Sequence, residues 1–488
     1  MRHWSDLPGP RGWPIVGNAL QIDAPHFHLQ LEAWAREFGR LYRVVLHKHK
    51  LLVVADHELI ATILRDRPDG LRRTPRLEEI WTELGLLTGL FSAGGDTWRR
   101  QRRMVMAGFD PAHIKRYFPT LAKVARRLAG RWQQAARTSA SIDLQADLMR
   151  YTVDTIAGLA FGAEVNTLQS DGDVIQQHLD KLFPAAMKRM LAPLPTWRWL
   201  RTRADRDLER CVVEVMAAVQ GFVAQARARM SAEPGLREQP RNLLEAMIAA
   251  ADRPGSGIDD RQVAGNVLTM LLAGEDTTAN TLAWMIHLLW RHPAALACAT
   301  EEVRRIVGDA ANPSFEQVAQ LDYVEACAHE TMRLKPVAPI LVLQTLREMN
   351  VGDVQVPKGM TVVTLLRHDG VSEAQLPRAA AFEPERWLGE NSLKRLSMPF
   401  GAGPRICPGR YLALLEMKMA IASLLGGFDI QSVESPGGIE AAERLAFTMM
   451  PVGLRMRLRE RERIPVQDPA SMEQAWNKTS LSASPSAS

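Results

Sequence analysis

The chain is short of cysteine. Four occur in 488 residues, Cys211, Cys298, Cys327 and Cys407, with no C-x-x-C pair among them. That spacing excludes a zinc knuckle and a disulfide framework, and it suits a reducing compartment. The first residues, MRHWSDLPGPRGWPIVGN, contain no apolar core segment and do not read as a secretory signal. A run of about 18 uninterrupted apolar residues is also missing, so no membrane span is expected. There is no internal repeat and no glycine-rich phosphate loop. No block of Lys or Arg is long enough to serve as a nucleic-acid arm, so nucleic acid is not an expected partner. A cytoplasmic, monomeric protein is the expectation.

Hydrophobic residues make up 46% of the chain and charged residues 24%, with a formal net charge of +5. That is globular composition with a mildly basic surface, and a chain of this length can enclose a ligand chamber. Residues 7–17 are rich in Pro and Gly and read as an extended entry segment. Leu41 to Val54 reads as a β-hairpin, and residues from about 57 to 310 carry mostly helical periodicity. Strand signals return between 340 and 366, and an amphipathic helix follows Gly409. From about 461 to 488 the periodicity is lost and the chain ends in SLSASPSAS, read as a disordered polar tail. The expected architecture is a mainly α fold with small β-sheets, one domain over 1–460.

The most informative stretch is Phe400 to Gly409, FGAGPRICPG. Its glycines and prolines define a constrained loop, and RYLALLEMKMAIASLL after it is apolar at helical spacing. Cys407 therefore precedes a helix N-terminus, where free N–H groups and the dipole favour a thiolate, and Arg405 adds positive charge. Such a thiolate is a nucleophile or an axial ligand to heme iron. The first needs a nearby His, which the local pattern does not supply. The second needs a loop that a flat macrocycle can approach, which Gly403 and Gly409 permit, and Arg405 could pair with a propionate.

Other motifs accompany the loop. AGEDTT, Ala273 to Thr278, lies inside a helical pattern from about Asp259 to Trp290 that Pro293 stops. Some 32 residues at 1.5 Å each span about 48 Å, enough to cross a domain. Gly274 softens that helix, and Thr277 or Thr278 can bond back to it, which predicts a local bulge and a polar notch in an apolar wall. Glu330 and Arg333 form E-x-x-R, and FEPERW follows at Phe382 to Trp387. Trp98 and Arg102 lie i, i+4 in GDTWRRQRR, with Asp96 as the expected N-cap.

Together these motifs resemble the cytochrome P450 family, over about residues 7–460. Phe400, Gly403, Arg405, Cys407 and Gly409 fit its heme loop FxxGxRxCxG. The resemblance implies a P450 fold, with heme b between the long central helix and the cysteine loop and Cys407 as the iron ligand. It implies heme contacts from Trp98, Arg102, Ala273, Phe400, Gly401, Arg405 and Gly409. It further implies that Asp276 and Thr277 supply the protons that oxygen reduction consumes, and that Arg386 joins Glu330 and Arg333 in a buried triad. Gln344 stands where many members have a further propionate arginine, and Arg347 comes three residues late.

The activity implied is a monooxygenase using O2 and two electrons, drawn indirectly from NAD(P)H through an external ferredoxin or flavodoxin with its reductase. No fused reductase and no N-terminal anchor are expected. A basic face of Arg99, Arg100, Arg103, Arg410 and Lys418 is expected to receive the partner. A peroxide-driven peroxygenase, a peroxide isomerase or dehydratase, and a non-catalytic heme sensor or carrier are the alternatives, and the Asp276–Thr277 pair counts against each. The substrate is expected to be lipophilic, such as a fatty acid, terpenoid or steroid. It would be lined by residues such as Leu84, Leu86, Leu87, Leu272, Ala273, Ile340, Met449 and Met450, with Arg43 or Lys48 as candidates for a ligand carboxylate.

Overall fold

A computed structural model describes residues 1–109, 111–170, 174–192, 194–308, 313–389 and 393–461. The polar tail, apart from Arg461, lies outside these residues. In chain order the elements are β1 (Arg2–His3), α1 (Phe27–Phe38), β2 (Leu41–Leu46), β3 (His49–Val54), α2 (His57–Arg65), β4 (Leu71–Arg73), α3 (Pro75–Glu83), α4 (Gly95–Gly108), α5 (Pro111–Arg137), β5 (Ile142–Asp143), α6 (Leu144–Phe161), α7 (Val174–Leu191) and α8 (Arg203–Ala232). The second half adds α9 (Leu243–Ala251), α10 (Asp260–Arg291), α11 (Pro293–Val307), α12 (Phe315–Ala319), α13 (Asp322–Leu334), β6 (Ile340–Thr345), β7 (Met349–Val351), β8 (Val354–Val356), β9 (Thr361–Leu365), α14 (Leu393–Leu396), α15 (Arg410–Gly427), β10 (Phe428–Glu434), β11 (Glu443–Ala446), β12 (Thr448–Pro451) and β13 (Arg455–Glu460).

The expected hairpin is β2–β3, and it is one edge of a five-stranded sheet in the order β2-β3-β9-β6-β4. The other sheets are small, so the fold is mainly helical as the sequence predicts. α8 has the length and mean hydropathy, 1.2, of a membrane span. Its apolar face, Val212, Val215, Val219 and Val223, is buried against other helices.

α10 sets the architecture. Asp259 caps it by accepting from Gln262 N at 2.8 Å, and Gln262 Oε1 accepts from Asp259 N at 3.1 Å. The helix then runs continuously to Arg291, and the bulge expected at AGEDTT is not formed. Two cores meet along it. Val263 to Leu272 pack with α3, α4, α8 and α9, whereas Ala279 to Leu289 pack with α5, α13 and α15. The six residues 273–278 lie on the seam between them. α15 crosses the same seam, with Leu412 in one core and Leu415 in the other. At the N-terminal half of α10 the chain before α4 touches it backbone to backbone. A Cβ on Gly89 would lie 2.2 Å from Gly265 O, and one on Gly265 would lie 2.5 Å from Thr88 O. Glycine at both positions is what lets this loop reach the helix.

Two buried ionic clusters tie the chain together. Arg333 donates to Glu330 through Nε and Nη2, both at 2.7 Å, and both side chains are fully buried. Glu330 also accepts from Trp387 Nε1 at 2.9 Å and Glu383 N at 3.0 Å, while Arg386 Nε stands 3.6 Å from it. The pair is therefore direct, and Arg386 closes the triad as an ion contact rather than a hydrogen bond. The second cluster joins α1 to β11. Arg367 bridges Glu32 and Glu443 at 2.8–2.9 Å, and Glu443 also receives His28 at 2.9 Å and Lys335 at 2.6 Å. Burial alone would raise the Glu443 pKa; the His28 hydrogen bond and the charges of Arg367 and Lys335 outweigh it and hold the carboxyl well below its usual range.

Glu330→Gln should leave the Arg333 charge uncompensated in the core and cost about 3–5 kcal/mol. Urea unfolding or the yield of soluble protein measures this. Because the folded pKa of Glu443 is depressed, its contribution is present above the unfolded value of about 4.3 and is lost as pH falls. Acid titration should therefore show a wild-type stability that declines below about pH 4, with Glu443→Gln less stable at pH 7 and flatter below.

Candidate active site

Cys407 lies in the loop between the Gly403–Arg405 turn and α15. Its N–H donates to Phe400 O at 2.9 Å, which ties the two ends of the loop. Gly401 and Gly403 both adopt left-handed φ, +73° and +70°. A Cβ on Gly403 would lie 2.7 Å from Arg65 Cα. Gly403 thus lets the loop pack on the end of α2, rather than clearing space for a macrocycle as expected. Gly409 is next to the thiol, with its Cβ position 4.0 Å from Cys407 Sγ and its N–H directed to the sulfur. Burial pushes the free thiol pKa up, against the Gly409 N–H, Arg102 and Arg410. The helix start alone therefore does not yield a thiolate; a coordinated metal deprotonates a thiol outright.

α4 supplies Trp98 and Arg102. It begins two residues earlier than predicted, with Gly94 as N-cap in place of Asp96; Asp96 lies in the first turn and pairs with Arg99 at 2.6 Å. Arg405 lies over the Trp98 ring at 5.1 Å and donates Nη2 to Leu90 O at 2.9 Å and Ala93 O at 2.8 Å. Arg67 and Arg73, which the motifs did not mark, sit beside it. Arg73 lies 4.3 Å over the Phe91 ring. Buried nitrogens of three of these residues, Arg67 Nε, Arg73 Nε and Arg405 Nη1, have no hydrogen-bond partner in the protein. Burial, and then repulsion between neighbouring guanidiniums, pushes each of the three pKa values down. Arginine stays protonated in proteins, so this set of donors calls for an anion with more than one oxygen. A flat group bearing two carboxylates, close to a cysteine sulfur, fits that demand.

On the other side, α10 presents Ala273, Asp276 and Thr277 at the seam. Ala273 is exposed although its helix is otherwise largely buried. Thr277 Oγ1 donates to Ala273 O at 2.6 Å. Asp276 Oδ1 accepts from Asn280 Nδ2 at 2.7 Å, and Oδ2 accepts a short hydrogen bond from Thr448 Oγ1. Burial raises the Asp276 pKa, partly offset by those two donors. Sequence reading marked Asp276 and Thr277 but not Thr448 or Asn280, which lie outside the motif.

A chain of rings lines the neighbouring wall. Phe183 stacks on Phe447 at 4.4 Å, Phe91 is 5.9 Å from Phe447, and Trp81 lies 6.1–6.5 Å from all three. None of these four rings is among the lining residues expected from the sequence, and of those expected Met449 is fully buried core. Arg43 donates to Ser5 O at 2.8 Å and lies over Trp4, so it is engaged at the N-terminal segment. Gln344 accepts from Arg72 at 3.1 Å, and Arg347 pairs with Asp66 at 2.8 Å. The expected basic face is also reduced: Arg99 is bound to Asp69 and Asp96, and Lys418 is buried on Glu325 at 2.7 Å.

The cytochrome P450 family model matches residues 7–456. The chain belongs to the cytochrome P450 family. The family's cofactor is a heme whose iron is bound by a cysteine thiolate, which agrees with the donor set above. This P450 is 29% identical over 471 residues to a self-sufficient cytochrome P450 monooxygenase of Penicillium freii, covering 94% of this chain and 43% of that protein. It is 29% identical over 480 residues to a bifunctional cytochrome P450/NADPH–P450 reductase of Aspergillus oryzae, covering 93% and 42%. The chain thus spans less than half the length of these relatives. The P450DA heme domain is similar in structure, with a TM-score of 0.82, 25% identity, and coverage of 94% of this chain and 98% of that one.

Arg405→Met and Arg73→Met should act in opposite directions with and without heme. Each removes a largely desolvated cation with no salt-bridge partner among the described residues, so the apoprotein should melt at the same temperature or higher. Each also removes a charged hydrogen-bond donor worth about 1.5–3 kcal/mol, so heme affinity should fall roughly ten- to a hundredfold. Heme transfer to an acceptor protein and melting of both forms check this.

Proposed function

We propose that this P450 is a monooxygenase that inserts one oxygen atom into a lipophilic small molecule, such as a fatty acid, terpenoid or steroid. Cys407 binds the heme iron. Trp98, Arg102 and Arg405, together with Arg67 and Arg73, hold the heme carboxylates. Phe400, Gly401 and Gly409 shape the loop around the sulfur, and Ala273 borders the opposite face. Residues 1–460 act as one heme domain, and a cytoplasmic location belongs to the same reading.

The heme supplies oxygen activation and transfer. This chain supplies position and protons. The observation that carries the proposal is the Asp276–Thr277 pair at the seam of the two cores, joined through Thr448 to the turn that carries the Phe447 ring. Burial brings the Asp276 carboxyl closer to the working pH, which suits a group that takes up and passes on a proton. Thr277 holds its hydroxyl at the cleft by donating to Ala273 O. The rings of Trp81, Phe91, Phe183 and Phe447 exclude water and favour an apolar ligand. The names of the relatives support an NADPH-dependent flavoprotein reductase as electron donor, in place of the ferredoxin or flavodoxin first expected.

Ferric protein titrated with fatty acids, terpenes and steroids should show a saturable change in heme spin state with one class. With that compound, NADPH and a P450 reductase, a hydroxylated or epoxidised product should form. Product from hydrogen peroxide alone would favour the peroxygenase, and spectral binding with no NADPH-dependent product would favour a sensor or carrier.

A further inference from the structure

Asp276 and Thr277 are adjacent, yet neither is bonded to the other's side chain in the hydrogen bonds observed. Thr277 is turned back on Ala273 O, and both Asp276 oxygens are occupied, one by Asn280 and one by Thr448. Asn280 is itself oriented from α6, because its carbonyl oxygen accepts from Gln145 Nε2 at 3.2 Å, which leaves its NH2 for Asp276. The Asp276 carboxylate is thus held from two sides, once from its own helix and once from the β11–β12 hairpin.

The hairpin has a fixed base and a strained tip. Glu443 at its start is clamped by Arg367, Lys335 and His28. Just past the tip the chain is anchored again, where Met449 N donates to Val337 O at 2.7 Å, so the free stretch is confined to the turn at Phe447 and Thr448. Phe447 joins the two strands at φ +89°, a conformation that is costly for a residue with a bulky side chain. Its ring is stacked in the aromatic wall, and the next residue is Thr448. The ring that packs in the aromatic wall and the hydroxyl that holds Asp276 therefore sit on consecutive residues, the first of them strained.

We propose that Thr448 is a positioning residue that parks the Asp276 carboxylate away from Thr277, so that proton supply waits on movement of the Phe447 tip. A ligand that displaces the Phe447 ring shifts Thr448 with it. The carboxylate is then released on the Oδ2 side and can turn to its neighbour. Without a ligand the parked carboxylate limits futile reduction of oxygen. The inference rests on the oxygenase reading above.

The test uses Thr448→Val, nearly the same shape but unable to donate, and Thr448→Ser, which keeps the hydroxyl. Hydrogen exchange of the segment 443–451 in ligand-free holoprotein should be roughly tenfold faster or more in Thr448→Val, as expected for loss of a bond to a charged group, and near wild type in Thr448→Ser. NADPH oxidation with a P450 reductase and no substrate should rise several-fold in Thr448→Val and return toward wild type in Thr448→Ser. Adding Thr448→Val to Asp276→Asn should raise that rate no further. Unchanged exchange, an unchanged idle rate, or failure of serine to restore both overturns the proposal. Absence of NADPH oxidation by the wild type with every substrate would instead overturn the oxygenase reading, which hydrogen exchange does not depend on.

Discussion

A long helix that must be apolar in two different cores, and polar where they meet, is the constraint on which the rest of the structure depends. α10 can bury both ends only if each half has its own partners, and the chain supplies them. The N-terminal half packs with α3, α4, α8 and α9, and the C-terminal half with α5, α13 and α15. The short stretch between the cores is where Gly274, Asp276 and Thr277 can be accommodated, because apolar packing is interrupted there. Polar groups in the middle of a buried helix are costly unless hydrogen-bonded. Here the bonds come from Ala273 O, Asn280 and Thr448. The site is thus a consequence of how the cores join rather than an addition to a finished fold.

Charge is treated in two opposite ways. Glu330–Arg333 and Glu32–Arg367–Glu443 are buried and paired, and they join segments far apart in the chain. In the Arg67–Arg73–Arg405 group Arg67 is buried and the other two are half-buried, without a comparable carboxylate, the nearby acid being Glu78, whose own pKa burial raises. A fold that pairs charges elsewhere and leaves three guanidiniums under-compensated in one place is suited there to an external anion, and this contrast is what supports the proposal that they hold the heme carboxylates.

Much of this was legible in the sequence because local chemistry decides it. The extent of α10 from about Asp259 to the stop at Pro293 was legible, as were the hairpin from two Val/Leu runs separated by polar residues over Leu41–Val54 and the cysteine loop from its glycines and prolines. What was not legible depends on three-dimensional neighbours. Arg67 and Arg73 look like ordinary surface arginines in sequence, and only their burial beside Arg405 distinguishes them. Arg99 and Lys418 look available to a partner until Asp69, Asp96 and Glu325 are seen beside them. The bulge expected at Gly274 did not form: the Thr277 hydroxyl bonds back to Ala273 O, as anticipated, without interrupting the helix. The role assigned to Gly403 changed because α2, distant in sequence, packs against it.

The β11–β12 hairpin brings these themes together. Its base belongs to a paired ionic cluster, its Met449 to one core, and its Phe447 ring to an aromatic group with Trp81, Phe91 and Phe183 from the other side of the seam. Rigidity at the base and strain at one residue of the tip concentrate any movement at Phe447 and Thr448. A looser base would spread a displacement over the whole strand pair. A relaxed tip would store no bias toward either position. The arrangement therefore has physical reason to confine motion to the two residues that touch the chamber wall and the central carboxylate.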